Sequence, residues 1–200
     1  MAIPSRQIGW GTEENLLWQI SRQLEGLTGV ASAISGTSGT SGSSGISTNL
    51  YSATFFDTTL QTNGGATTAN QVLINSTQIA NGFTLGPDNR INVTNAGTYF
   101  LSLGLQLAFT GGASNYNVTV WYTVNDVIVP NSAFTFTTTG AQNDQTLAKV
   151  TDTIALTAGQ YLKFYWWSQA TGMRLLPTAA GSNPTRPLSP SVNLSIFNVG

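Results

Sequence analysis

After residue 49 the only acidic side chains in this 200-residue chain are Asp57, Asp88, Asp126, Asp144 and Asp152. The chain has no histidine and no cysteine. Histidine-based acid–base and nucleophilic chemistry is therefore excluded, as are disulfides and thiolate metal sites. Aspartates could still cleave a glycosidic bond, but that needs two carboxylates facing each other across a cleft. Asp88 follows Gly86-Pro87, Asp126 follows Asn125 and Asp144 follows Asn143. Those are turn contexts, which predict solvated side chains. A calcium site would use Asp and backbone carbonyls, but no Asp-x-Asp loop is present. The expectation is no enzyme, no cofactor and no metal. Asn75, Asn92, Asn117 and Asn193 fit Asn-x-Ser/Thr, which chance explains in a chain rich in Asn and Thr. The remaining chemistry lies in Trp121, Trp166 and Trp167. Exposed aromatics can stack on sugar rings. The stronger expectation is that these three belong to the core or to a contact between copies.

Charge narrows the partners. Charged residues make up 8% of the chain and the net charge is −1, against roughly 25% charged in typical soluble proteins. No strong field draws nucleic acid or an anionic membrane. No apolar run approaches the ~18 residues needed to span a bilayer. The first residues lack a basic stretch followed by an apolar core, so no signal peptide is expected and synthesis in a cytoplasm is the default.

The elements that must position these groups are strands. Tyr99, Leu101, Leu103, Leu105, Leu107 and Phe109 alternate with Phe100, Ser102, Gly104, Gln106 and Ala108. That is a two-residue period over eleven positions. Asn117–Val124 repeats it, with Val118, Val120, Tyr122 and Val124 on one face. Tyr161–Trp167 is apolar on both faces except at Lys163, the pattern of a strand covered on both sides. Ser191–Val199 points Val192, Leu194 and Ile196 inward. Turn signals at Asn63-Gly64-Gly65, Gly86-Pro87-Asp88-Asn89 and Gly159-Gln160 separate the runs. Many short strands so spaced imply an antiparallel sandwich or barrel over residues 49–200.

Two shorter segments come first. Residues 1–30 combine an extended arm with a short α-helix. Thr12 reads as its N-cap, Glu13 and Glu14 lie in its first turn, and Gly29 can stop it. Leu17, Ile20, Leu24 and Leu27 form a seam over two heptads. Either an amphipathic helix lying on a surface or a short trimeric coiled coil satisfies that seam. A helix this short needs a partner in both cases. Residues 31–48 form a Ser/Gly/Thr linker with almost nothing to bury, and no Lys follows its glycines to make a phosphate loop.

Three pieces of the β region resemble the C1q/TNF-like jelly roll. Ala96-Gly97-Thr98-Tyr99-Phe100-Leu101-Ser102 is similar to the family's Gly-x-Tyr-x-Phe strand opening. Leu156-Thr157-Ala158-Gly159-Gln160-Tyr161-Leu162-Lys163-Phe164 is similar to its Leu-x-x-Gly-Asp-x-hydrophobic strand, with Gln160 in place of Asp. Ser191–Phe197 matches the closing strand at the centre of one sheet. The resemblance covers roughly residues 80–200. It implies a homotrimer with aromatic side chains near the threefold axis, and it makes Tyr161, Phe164 and Trp166 candidate trimer-interface residues.

The first 28 residues, from Met1-Ala2-Ile3-Pro4-Ser5-Arg6-Gln7-Ile8-Gly9-Trp10 to Leu24, resemble the opening of virion structural proteins of tailed bacteriophages. That implies a particle anchor made by Ile3, Arg6, Ile8, Trp10, Leu17, Ile20 and Leu24, docked on capsid or tail proteins. The expected function is a head decoration or fibre protein, or a small tail fibre, located in the virion. Its β head is a candidate for contact with a host surface glycan or protein. The alternative is a secreted-type C1q/TNF-like receptor-binding ligand domain.

Overall fold

The computed structural model describes residues 50–111, 115–138, 142 and 144–199. The arm, helix and linker expected over residues 1–48 lie outside them. Leu50–Gly200 forms one compact unit.

The first sheet contains β1 (Ser52–Asp57), β2 (Gln61–Thr62), β4 (Ser76–Asn81), β7 (Gly97–Phe109), β11 (Gln145–Leu156), β13 (Met173–Leu175) and β16 (Val192–Asn198). The second contains β3 (Asn70–Gln71), β5 (Phe83–Leu85), β6 (Ile91–Val93), β8 (Tyr116–Val124), β9 (Val127–Ile128), β10 (Phe134–Thr138) and β12 (Tyr161–Trp167). A separate small hairpin joins β14 (Gly181–Ser182) to β15 (Thr185–Arg186). We call the two large sheets A and B. All pairings are antiparallel. The molecule is therefore the antiparallel two-sheet sandwich that the alternation predicts.

β7 is the spine of sheet A. It pairs with β11 along one side and with β16 and then β13 along the other. β16 lies between β7 and β1, and β1 continues to β4. Alternation decides which residues face the other sheet. Tyr99, Leu101, Leu103, Leu105 and Leu107 are buried, as are Phe55, Leu194 and Ile196 on the neighbouring strands. From sheet B, Val118, Val120 and Tyr122 meet them, together with Leu162, Phe164 and Trp166. Burying side chains of this size contributes about 1.5–3 kcal/mol each. One polar contact crosses the sandwich: the Tyr122 hydroxyl donates to Asp152 Oδ2 at 2.6 Å.

The core assignment corrects one expectation. Phe164 is 2% exposed and Trp166 is 0% exposed within a single chain. Their surface is already used between the sheets, so they have none to offer a partner. Only every second residue of β12 points away from the core, and these are Tyr161, Lys163, Tyr165 and Trp167, all half-buried.

Candidate functional site

With the core fixed, two outer faces remain. On sheet B the register sets Tyr165 beside Trp121 and Trp167 beside Thr119. The rings of Trp121 and Tyr165 stack nearly parallel, with centroids 5.8 Å apart and planes 15° apart. Trp167 follows two residues along β12 on the same face. Its indole Nε1 donates to the Ala66 carbonyl at 2.8 Å, which fixes the ring. Neutral hydrogen-bonding groups rim these three rings. Gln71 is opposite Tyr165, the Thr119 and Thr135 hydroxyls are 3.0 Å apart, and Thr137 Oγ1 donates to Asn117 Oδ1 at 2.9 Å.

A polar cluster occupies the other end of the same face. Asp126 accepts from the Tyr161 hydroxyl at 2.6 Å and pairs with Lys163 Nζ at 2.9 Å. The Tyr161 hydrogen bond, seconded by Lys163, holds the Asp126 carboxyl below the usual carboxylate range. The same bond to Asp126 raises Lys163 and Tyr161. The Arg90 guanidinium carbon and Lys163 Nζ sit 5.3 and 5.5 Å from the centre of the Tyr161 ring. The cluster sets one carboxylate beside two cations, Lys163 and Arg90.

Two of the other carboxylates, Asp57 and Asp152, have local structural partners. Asp57 is buried and accepts from Thr59 N at 2.6 Å and Thr59 Oγ1 at 2.5 Å. Asp152 lies in the middle of β11 rather than at a turn, and it takes the inter-sheet bond from Tyr122. Burial, with the bond to Asp152 second, pushes the Tyr122 phenol well above its ordinary value. Among the described residues no group of three or more Asp or Glu side chains could hold a metal ion.

The outer face of sheet A has a different character. Its rows across β1, β16, β7 and β11 read Ser52, Phe197, Phe100, Thr153; then Thr54, Ser195, Ser102, Thr151; then Phe56, Asn193, Gly104, Lys149. The Phe100 and Phe197 rings pack with centroids 4.9 Å apart. Phe197, Ile79 and Leu147 are exposed at 43%, 55% and 66%. Small side chains fill the middle, and along β1, β7, β11, β13 and β16 the outward charges are Lys149 and Arg174, with no carboxylate. A groove of ≈ 660 Å³ opens on this face, lined by Phe56, Thr77, Pro187, Leu188, Pro190 and Asn193.

The structure thus separates the residues singled out from sequence. Trp121 and Trp167 share a face, Trp166 is core, and Tyr161 belongs to the Asp126 cluster. The anchor residues Ile3, Arg6, Ile8, Trp10, Leu17, Ile20 and Leu24 lie outside the described residues. Tyr165 was absent from the sequence-derived set. Its signal was available, because it is two residues from both Lys163 and Trp167 on an alternating strand.

No family model matches this sequence, and no curated protein matches it. Solved structures do match. The Eiger TNF structure from S. frugiperda superposes with a TM-score of 0.50 at 10% identity, over 76% of this chain and 93% of that one. The fold is TNF-like. Murine APRIL, at pH 5.0, gives a TM-score of 0.43 and 11% identity over 75% of this chain and 99% of its own. The three motif pieces fall on strands of the sandwich. Gly97 opens β7, Leu156 ends β11, and β16 closes the centre of sheet A. The Gln160 amide oxygen accepts from Thr157 N at 2.8 Å and closes the β11–β12 turn.

Proposed function

We propose that this chain is a non-catalytic structural component of a tailed-phage virion, a decoration or fibre protein. Its β head assembles as a homotrimer through the outer face of sheet A, and its first 30 residues anchor it to capsid or tail proteins. The observation that carries the trimer is that outer face. Phe100, Phe197, Phe56, Ile79 and Leu147 are displayed on a sheet face with no carboxylate. Monomeric proteins rarely gather this many large apolar side chains on one solvent-facing sheet surface. The low centre of Ser102, Gly104 and Ser195 lets a neighbouring copy approach the backbone closely. Trimer assembly is also what the TNF-like fold implies. The phage assignment rests on the likeness of residues 1–28 to virion proteins and on the Ser/Gly/Thr composition of the segment between them and the head.

Sedimentation of the full chain and of residues 49–200 tests the assembly. A trimer is expected in both, and the double variant Phe100→Asp, Phe197→Asp is expected to be a folded monomer. A monomeric parent at micromolar concentration overturns the trimer. Chains lacking residues 1–30 are expected to stay folded and trimeric but to fail to join particles. Their incorporation at normal copy number overturns the anchor. The fold it shares with Eiger TNF favours, as a second reading, a secreted-type receptor-binding ligand. Failure of the full chain to join any particle would support that reading.

A further inference from the structure

We propose that Asn81 is a site of spontaneous deamidation, and that its conversion to aspartate or isoaspartate withdraws ageing, unassembled heads from trimer formation. The effect on assembly rests on the trimer reading above. The chemistry at Asn81 does not.

The sequence holds two Asn-Gly dipeptides, Asn63-Gly64 and Asn81-Gly82. Glycine after asparagine favours the reaction, because no Cβ hinders the following amide nitrogen and the backbone there turns freely. That nitrogen gives its proton to solvent base and attacks the asparagine side-chain carbon Cγ. The new N–Cγ bond closes a five-membered succinimide, the Cγ–Nδ2 bond breaks, and the departing nitrogen takes a proton from water and leaves as ammonia. Water then opens the ring. Breaking the N–Cγ bond gives aspartate. Breaking the bond from nitrogen to the main-chain carbonyl carbon gives isoaspartate. Overall one water is consumed and one ammonia released, with no oxidant or reductant.

The two sites differ in what holds the reacting atoms. Asn63 Nδ2 donates to the Ser168 and Ala170 carbonyls at 2.8 and 2.9 Å. Its Oδ1 accepts from Gly65 N at 3.1 Å and from Asn70 Nδ2 at 2.9 Å. The nucleophile is tied as well, since Gly64 N donates to Asn70 Oδ1 at 2.8 Å. Asn63 therefore reacts only after several bonds break together. Asn81 is exposed and is the last residue of β4, the edge strand of sheet A. It pairs there with Ser52, the first residue of β1. Strand ends at a sheet edge open at the low end of a protein's stability range. Among the described residues the Asn81 side chain makes one hydrogen bond, from Nδ2 to the Leu50 carbonyl at 3.1 Å, and Gly82 N has no partner. The backbone also demands glycine at this place. The Gly82 φ is +82°, and a Cβ there would lie 2.7 Å from the Tyr51 ring.

The product lands where it matters for assembly. Asn81 continues the outer row Ser52, Phe197, Phe100 of sheet A. That row has no carboxylate, and conversion adds one that a covering copy would have to desolvate. Isoaspartate also lengthens the main chain by one carbon at the end of β4. A sister copy over this row shields Asn81 from solvent base and holds the strand end closed. The reaction thus counts the time a head spends unassembled.

The test ages the full chain, diluted to favour free heads, in mildly alkaline buffer. Peptide mapping by mass spectrometry reads the exchange of an amide for a carboxyl at each asparagine, and labelling by an isoaspartyl methyltransferase reads the isomer. In the folded chain Asn81 is expected to convert roughly tenfold faster than Asn63, the difference in local opening, and faster still as pH rises. In denaturant the two rates should draw together. The chemistry is overturned if folded Asn63 converts as fast as Asn81, or if folded Asn81 stays intact while the unfolded chain converts. Sedimentation reads the consequence. Asn81→Asp, which fixes one product, is expected to weaken the trimer about tenfold. Asn81→Gln, which would need a six-membered ring, should assemble like the parent and should keep doing so after ageing. If Asn81→Asp does not fold, the aged parent against aged Asn81→Gln carries the comparison. Equal assembly of fresh and fully converted parent overturns the effect on assembly. A fresh parent that is monomeric overturns the trimer reading and that effect with it, while the peptide map decides the chemistry at Asn81 by itself.

Discussion

The two outer faces of the sandwich have similar numbers of aromatic rings but opposite settings. On sheet A, Phe100 and Phe197 pair against a floor of serine and glycine, with aliphatic side chains exposed around them. On sheet B, Trp121 and Tyr165 stack on each other and Trp167 is tied to the backbone, inside a border of threonine, asparagine and glutamine. The first face needs another apolar surface to exclude water. The second satisfies its polar edge and its rings within the same chain. Aromatic content alone does not say what a surface is for; the side chains between the rings do.

The sharpest way to break this comparison is to move one residue along β12. Trp166→Ala should cost about 3–5 kcal/mol of head stability, the usual penalty for emptying a core aromatic site. Denaturant unfolding measures it, and a loss under about 1 kcal/mol would place Trp166 outside the core. Trp167→Ala, its immediate neighbour, should cost much less in stability while altering the sheet B face.

Next in size is the Phe100→Asp, Phe197→Asp pair. It should change sedimentation from trimer to monomer while leaving the near-ultraviolet circular dichroism of the head intact. Loss of the fold along with the trimer would mean that the outer rows of sheet A also hold the sandwich together.

Tyr122→Phe comes third. It removes the donor that Asp152 receives across the sandwich, a loss of about 1.5–3 kcal/mol for a bond to a charged group. It should also change the alkaline limb of stability. The Tyr122 phenol is raised above its ordinary value of 10.0 in the folded chain. Its contribution is therefore complete below that pH and is lost as pH climbs toward the folded value. The melting temperature of the parent should fall more steeply above pH 10 than that of Tyr122→Phe. Equal slopes would remove the assignment.

The smallest effect is expected from Asp126→Asn. The Asp126 carboxyl is depressed by Tyr161 and Lys163, so it stabilises the fold above its ordinary range and stops doing so as pH falls. Because the group is exposed to solvent, salt and water screen most of that. The melting temperature should barely move at neutral pH, and any difference between parent and variant should shrink further in acid.

Much of the sandwich was legible before the structure. The alternation in Tyr99–Phe109 and Asn117–Val124 gave both the strands and their buried faces, because the two faces differ in polarity. Tyr161–Trp167 gave the strand but not its orientation. With rings at Tyr161, Phe164, Tyr165, Trp166 and Trp167, a two-residue period has no polar face to mark, and only the packing partners decide. β11 escaped notice for the opposite reason. It faces Ala148 and Asp152 inward and Leu147 outward, so its pattern is blurred by an inter-sheet carboxylate and by an exposed leucine. The ring cluster on sheet B was half legible: Trp121 and Trp167 were visible as ring bearers, but Tyr165 entered only once the register of β8 and β12 was known.

The position of β16 sets a timetable. Its residues Val192–Asn198 fill the slot between β1 and β7, so Ser52–Asp57 must wait for a strand more than a hundred residues downstream. At ordinary synthesis rates that interval is on the order of ten seconds, during which one edge of β1 stands open. Phe197 arrives with that last strand. The surface proposed to gather sister copies is therefore incomplete until the sheet itself is closed, a feature that would keep truncated or half-made chains out of such an assembly.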